Sequence, residues 1–230
     1  MKIRYLFSGI DKKNGFNKNQ EKYLKKDIKQ NLIITFIAST FDDIKRNETQ
    51  FIRTVKYFEK INIKFKEKYL IDNRVSIYDA KKYIQSADII YLLGGSPFLQ
   101  MKKINEYGLK EIIKDKSSIV IGVSAGSMNQ AKKVIYKDEY EDNKILNYEG
   151  LGVSPVYIYP HLDFNDIELL KEIFEVSKLI KLVLLPNESF VRIVDDNIEF
   201  IGEYYIAENG AIDINGVDYI SINHLGTINL

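Results

Sequence analysis

The chain has no cysteine and only two histidines, and its 33 basic and 32 acidic side chains nearly cancel, leaving a net charge of +1 over 230 residues. The missing thiols exclude disulfides, thiolate metal sites and a cysteine nucleophile together. Balanced charge argues against nucleic acid or an anionic membrane surface as the main partner. No segment approaches the roughly 18 continuous apolar residues of a membrane span. Residues 1–7 read as a first strand, without the apolar core of a signal peptide. These absences point to a cytoplasmic enzyme. With 45% hydrophobic residues, the chain can bury one substantial core, and residues 1–230 are expected to form a single α/β domain.

What is present is an alternation of two patterns. Segments 3–8, 32–39, 63–70, 88–93 and 118–123 read as strands, several of them continuous apolar runs suited to a sheet covered on both faces. Amphipathic stretches lie between them at about 19–29, 43–61, 76–86 and 97–115; in the second, Ile44, Phe51, Ile52, Val55 and Phe58 recur at helical spacing. This alternation predicts a doubly wound, mostly parallel sheet flanked by helices, with right-handed crossovers. Sites in such sheets lie beyond the carboxyl ends of the strands. From about residue 190, short strands and turn signals take over, a β-rich C-terminal section expected to close the sheet edge.

Gly122-Val123-Ser124-Ala125-Gly126, preceded by an apolar strand and followed by a helix-like stretch over 127–133, has the form of a nucleophile elbow. Glycines on both sides let a serine sit at a sharp strand-to-helix corner with its hydroxyl exposed. A second loop, Gly94-Gly95-Ser96-Pro97, ends the strand at 88–93 and opens a helix, with Ser96 as N-cap and Pro97 in the first helical position. Gly95 can present a bare backbone N–H to a developing oxyanion. The loop lacks the Gly-Lys-Ser/Thr of a phosphate-binding loop and the third glycine of a dinucleotide fingerprint. A serine nucleophile needs a base, and the choice is between His161 and His224. His161 follows the strand-like run 156–160 and precedes a helix predicted over 163–180, which puts it at a strand end with Ser124. His224 lies near the end of the chain.

The Gly-Gly loop, Gly-Val-Ser-Ala-Gly-Ser, Pro160-His161 after a strand and the later Leu185-Pro186 segment together resemble the peptidase E (α-aspartyl dipeptidase) and cyanophycinase family of serine peptidases. The likeness runs from about residue 32 to 193. It implies a fold similar to class I glutamine amidotransferases and a Ser–His–acid triad in that chain order, with no metal and no cofactor. Ser124 would be the nucleophile and His161 the base, with oxyanion N–H groups from Gly95 and Ala125. The implied partner is a small peptide, in peptidase E a dipeptide with an N-terminal aspartate, and a homodimer is compatible with it. Ser96 stands where the family usually has asparagine, among residues shaping the substrate pocket.

The third triad position stays open between two neighbours. Peptidase E has glutamate directly after the proline, whereas this chain reads Pro186-Asn187-Glu188. Strict alignment selects Asn187, and charge favours Glu188, because a carboxylate stabilises imidazolium better than an amide oxygen. If this stretch is an extended strand, adjacent side chains point to opposite faces and one of the two reaches His161. Asp138, in the acidic run 138–142, is a third option. For a substrate carboxylate, Arg192 is the arginine nearest the Leu-Pro segment. Two other readings remain: an α/β-hydrolase esterase using His224 with Asp195 or Asp196, and a degenerate member keeping the pocket to bind a small ligand.

Overall fold

The computed structural model describes residues 1–116, 118–138, 144–214 and 218–221. Its first half runs β1 (Ile3–Phe7), α1 (Lys18–Asp27), β2 (Leu32–Ile37), α2 (Ile44–Lys60), β3 (Phe65–Ile71), α3 (Ile77–Ser86) and β4 (Ile89–Leu92). There follow α4 (Pro97–Glu106), α5 (Lys110–Asp115), β5 (Ile119–Val123), α6 (Ala125–Met128), β6 (Lys133–Asp138) and β7 (Lys144–Glu149). The remainder comprises β8 (Ile158–Tyr159), α7 (Ile167–Ser177), β9 (Leu182–Leu184), β10 (Phe190–Val194), β11 (Asn197–Ile201), β12 (Tyr205–Glu208), β13 (Ala211–Ile214) and β14 (Asp218–Ser221).

Seven strands form the main sheet in the order β11-β10-β1-β5-β4-β2-β3. β1, β5, β4, β2 and β3 run parallel, and β10 and β11 join antiparallel beside β1. The expected α/β architecture is therefore present. The apolar runs are explained by burial on both faces. Ile89 and Tyr91 pack with Tyr5, Phe36 and the α2 residues Val55 and Phe58 on one side. Ile90 and Leu92 pack with Ile84, Met101 and Ile113 from α3, α4 and α5 on the other.

The C-terminal section does two things, where one was expected. β10 and β11 extend the main sheet, while β12, β13 and β14 join β9 and β8 in a second sheet of order β14-β13-β12-β9-β8. α7 covers one face of this second sheet through Leu170, Ile173 and Phe174 against Tyr159, Leu184 and Ala207. Its other face meets the main sheet, where Ile158, Val183 and Leu185 pack on Leu6, Val191 and Ile193.

Three helix expectations are corrected by local chemistry. The stretch 97–115 breaks into α4 and α5, because Gly108 turns the chain at φ +64. The helix expected over 163–180 starts only at Ile167, where Asp166 caps it by accepting the Leu169 N–H at 3.0 Å. The helix-like stretch 127–133 is a single turn. The Asn129 carbonyl is taken by the Leu151 N–H at 2.8 Å and that of Gln130 by Val153 and Ser154, both at 2.9 Å, so the helical ladder cannot continue.

Arg192 is settled in the core. Its guanidinium forks onto Asp27 with two bonds of 2.7 Å and reaches Glu199 at 2.7 Å, with about 5% of its side chain exposed. Tyr5 donates to the same Asp27 carboxylate at 2.5 Å. This tie joins α1 to the back of β10, so Arg192 is unavailable to a substrate. Breaking one partner of a buried pair strands the other charge at a cost of about 3 kcal/mol or more. Asp27→Asn is expected to lower the unfolding free energy by about that amount in urea titration, with the fold retained.

Candidate active site

Ser124 stands at the carboxyl end of β5, where Val123 is level with Phe7 of β1. Its backbone is at φ +52, ψ −115, an uncommon conformation for a residue with a side chain. The surroundings enforce it. The Ser124 N–H is held by the Phe7 carbonyl at 2.9 Å, and the Ser124 carbonyl takes the N–H groups of Ser127 and Met128 as α6 begins. A Cβ on Gly122 would lie 2.4 Å from the Gly126 oxygen, and one on Gly126 would lie 2.3 Å from the Leu92 oxygen. Both glycines are therefore required for the corner to fit against β4.

His161 comes from the other sheet, immediately after β8 and Pro160, and not from the parallel sheet that carries Ser124. Its backbone is left-handed at φ +62. Its N–H donates to the Ser8 hydroxyl at 2.7 Å, and that hydroxyl donates to the Leu185 carbonyl at 2.8 Å. Ser8 is fully buried. The ring then spans the gap between sheets, with Nε2 at 2.7 Å from Ser124 Oγ and Nδ1 at 2.5 Å from Asn187 Oδ1. Since an amide oxygen only accepts, Nδ1 carries the proton and Nε2 is left to accept the serine proton.

The preference for Glu188 is corrected by this geometry. Residues 187 and 188 do not lie in an extended strand. They occupy a tight turn closed by the Ser189 N–H on the Pro186 carbonyl at 3.0 Å. The turn swings Asn187 onto the ring, while the backbone carbonyl of Glu188 is held by Asn17 Nδ2 at 3.1 Å. Gly9 passes beneath the pair, where a Cβ would come within 2.9 Å of Asn187 Oδ1. The two ring nitrogens of His161 are taken by Ser124 and Asn187, and Asp138 accepts from the Tyr136 hydroxyl at 2.5 Å. Burial and that bond raise the Tyr136 phenol far above its usual range, so it stays protonated. Asp195 sits between β10 and β11 and binds the Lys2 N–H at 2.8 Å. That is the opposite end of β1 from Ser124, with Asp196 next to it, so neither acid serves an esterase arrangement there. His224 lies outside the described residues.

The Gly94-Gly95 loop is held from behind. The Gly94 carbonyl accepts from Ser39 Oγ at 2.8 Å and Gln50 Nε2 at 3.2 Å. In a trans peptide this turns the Gly95 N–H the other way. Gly95 has φ +147, and any Cβ would strike Ser39 Oγ at 2.1 Å. Ser96 caps α4 through the Leu99 N–H at 3.3 Å and also bonds Tyr136. Deeper, Gln100 Nε2 satisfies the carbonyls of Ile37 and Leu93, and Asn129 links it to Pro97 and Tyr148.

Two cavities meet at Ser124 and His161. One, of about 510 Å³, is lined by Ser96, Ala125, Met128, Tyr136, Asp138, Tyr159 and Glu172 among others. The second, of about 750 Å³, runs past Gly9, Lys12, Arg53, Asn187 and Glu188. Arg46 borders both. Among the described residues no three His, Asp or Glu side chains converge as a metal site, and no helix is long and apolar enough to cross a membrane.

The model of peptidase family S51 matches residues 6–201. The chain belongs to that family. It is 27% identical over 184 residues to peptidase E of Haemophilus influenzae (strain PittGG), covering 71% of this chain and 78% of that protein. A Listeria monocytogenes EGD-e protein described as a candidate peptidase E superposes with a TM-score of 0.67 at 18% identity, covering 87% of this chain and 98% of its own. A peptidase from an acI-B1 Actinobacterium gives 0.67 at 16% identity, covering 96% and 97%. These two likenesses show the shared fold, and family membership makes the chain a serine-type peptidase.

Reading the sequence alone missed Ser8, Gly9 and Arg46. A Ser-Gly pair at the carboxyl end of the first strand was a usable signal for the first two, since that end adjoins the elbow strand. Within this S51 peptidase, Asn187→Ala is expected to lower kcat by about 100-fold or more with little change in KM. Glu188→Gln should stay within about threefold of wild type, and Asn187→Asp should retain turnover. Steady-state kinetics on one short peptide would check all three, and a larger loss for Glu188→Gln than for Asn187→Ala would reverse the assignment.

Proposed function

We propose that this S51 peptidase hydrolyses short peptides through an acyl-enzyme on Ser124, with dipeptides bearing an N-terminal aspartate as the first class to test. The observation that carries this reading is the continuous line from Asn187 Oδ1 through the His161 ring to Ser124 Oγ, with contacts of 2.5 and 2.7 Å. His161 Nε2 takes the hydroxyl proton as Ser124 Oγ bonds to the scissile carbonyl carbon. The oxyanion then lies against the N–H groups of Gly95 and Ala125, whose charge stabilisation is needed only as the tetrahedral centre forms. The imidazolium passes its proton to the departing nitrogen, and the same ring activates the water that releases the acyl group. Asn187 keeps the ring in the tautomer that leaves Nε2 basic. A substrate aspartate needs a cation, and Arg46 at the junction of the two cavities supports that preference, since Arg192 is buried in its own ion pairs.

Ser124→Ala is expected to abolish peptide hydrolysis while leaving the fold intact, because the hydroxyl faces the cleft. His161→Ala should also remove activity and His224→Ala should not. A dipeptide-library screen with these three variants as controls checks the reading; a folded Ser124→Ala protein that still turns over substrate rules it out.

A further inference from the structure

The second cavity has a composition that the hydrolytic steps do not use. Arg46 and Arg53 stand seven residues apart on α2, two turns along one helix face. Both border this cavity, with Lys12 facing them from the loop after β1. Among the described residues the arginine ion pairs are those of Arg74 and Arg192, so Arg46 and Arg53 have no carboxylate partner. Two carboxylates share the cavity wall, Asp11 and Glu188. Asp11 is turned into its own loop, where Oδ1 accepts the N–H groups of Lys13 at 2.9 Å and Asn14 at 2.5 Å. With Glu188 the other acid on it, the wall offers two guanidinium groups and the Lys12 ammonium, with Arg53 half-buried and Arg46 and Lys12 exposed, to a substrate anion.

We propose that this cavity is the leaving-group subsite and that Arg53 and Lys12 are the residues that select for a free C-terminal carboxylate on the departing fragment. The proposal rests on the peptidase reading above. The direction follows from the proton path. His161 must protonate the departing nitrogen, so the leaving fragment exits past the imidazole. Both cavities reach Ser124, His161 and Gly95, but only this one continues past the ring to Asn187 on its far side, and only the other reaches the oxyanion donor Ala125. Guanidinium binds carboxylate through charge-assisted, two-pronged bonds that a neutral amide cannot replace.

The test uses Ser124→Ala protein, titrated calorimetrically with the dipeptide Asp-Leu and with Asp-Leu amide. The acid should bind at least about tenfold tighter than the amide. Adding Arg53→Gln should bring that ratio down to about one by weakening the acid alone, and Lys12→Gln should lower it as well. Equal binding of acid and amide, a ratio unchanged in both double variants, or no binding of either peptide overturns the subsite. Hydrolysis of Asp-Leu by wild-type protein is measured alongside. Turnover without acid–amide discrimination leaves the peptidase reading standing and removes the subsite, whereas absence of turnover on the whole dipeptide library removes the peptidase reading itself.

Discussion

The nucleophile and its imidazole come from two different sheets, so their 2.7 Å contact depends on how those sheets are held together. Apolar packing of Leu6, Val191 and Ile193 against Ile158, Val183 and Leu185 supplies the attraction, but it is non-directional and sets no ångström-scale register. The register is set by a hydrogen bond that crosses the seam. The Ser8 N–H continues the β1–β10 ladder to Ser189 and the Leu185 N–H continues the β8–β9 ladder to Tyr159, each up to its strand end. Beyond those ends the Ser8 hydroxyl joins the two sheets, taking the His161 N–H and donating to the Leu185 carbonyl. Satisfying those groups across the seam fixes the ring at the same time.

The other half of the site depends on close backbone approach. Gly122 and Gly126 let the elbow settle against β4, and Gly95 leaves room for Ser39 behind the loop. Beneath lies a buried set of amides. Gln100 ties the carboxyl ends of β2 and β4 together, and Asn129 connects Gln100 to the start of α4. A fully satisfied polar network of this kind specifies one arrangement where an apolar filling would tolerate several. The serine corner and the Gly-Gly loop are in this way built on the same support.

The parallel strands were legible because continuous apolar runs and intervening amphipathic stretches are direct consequences of two-sided burial. Ser124, His161 and the Gly-Gly loop were legible for a related reason: special backbone at strand ends leaves glycine and histidine signals. Membership of β8 in a second sheet was not, since a two-residue strand carries no periodicity of its own. The Asn187 against Glu188 question turned on whether 187–188 was strand or turn, and the deciding bond is a main-chain contact that no side chain announces. The short α6 was hidden similarly, because its carbonyls are diverted by residues 151–154, far along the chain. Arg46 looked like one more charge on a solvated helix face, and only the crossover geometry brings it to the cleft.

Ser124 and His161 share an unusual property: both hold positive φ while bearing the side chains the chemistry needs. Elsewhere among the described residues such positions carry glycine, as at Gly15, Gly95 and Gly108, or the asparagine and aspartate that tolerate left-handed backbone best, as at Asn31, Asn62, Asp195 and Asn209. At 124 and 161 that relief is closed to evolution, since glycine would relax the backbone and delete the reacting group. Drift in the surrounding sequence is therefore constrained in one direction. Substitutions that loosen the elbow or the seam release stored strain and gain stability locally, while moving the two side chains apart. Selection for hydrolysis has to retain a less comfortable backbone than selection for folding alone would choose.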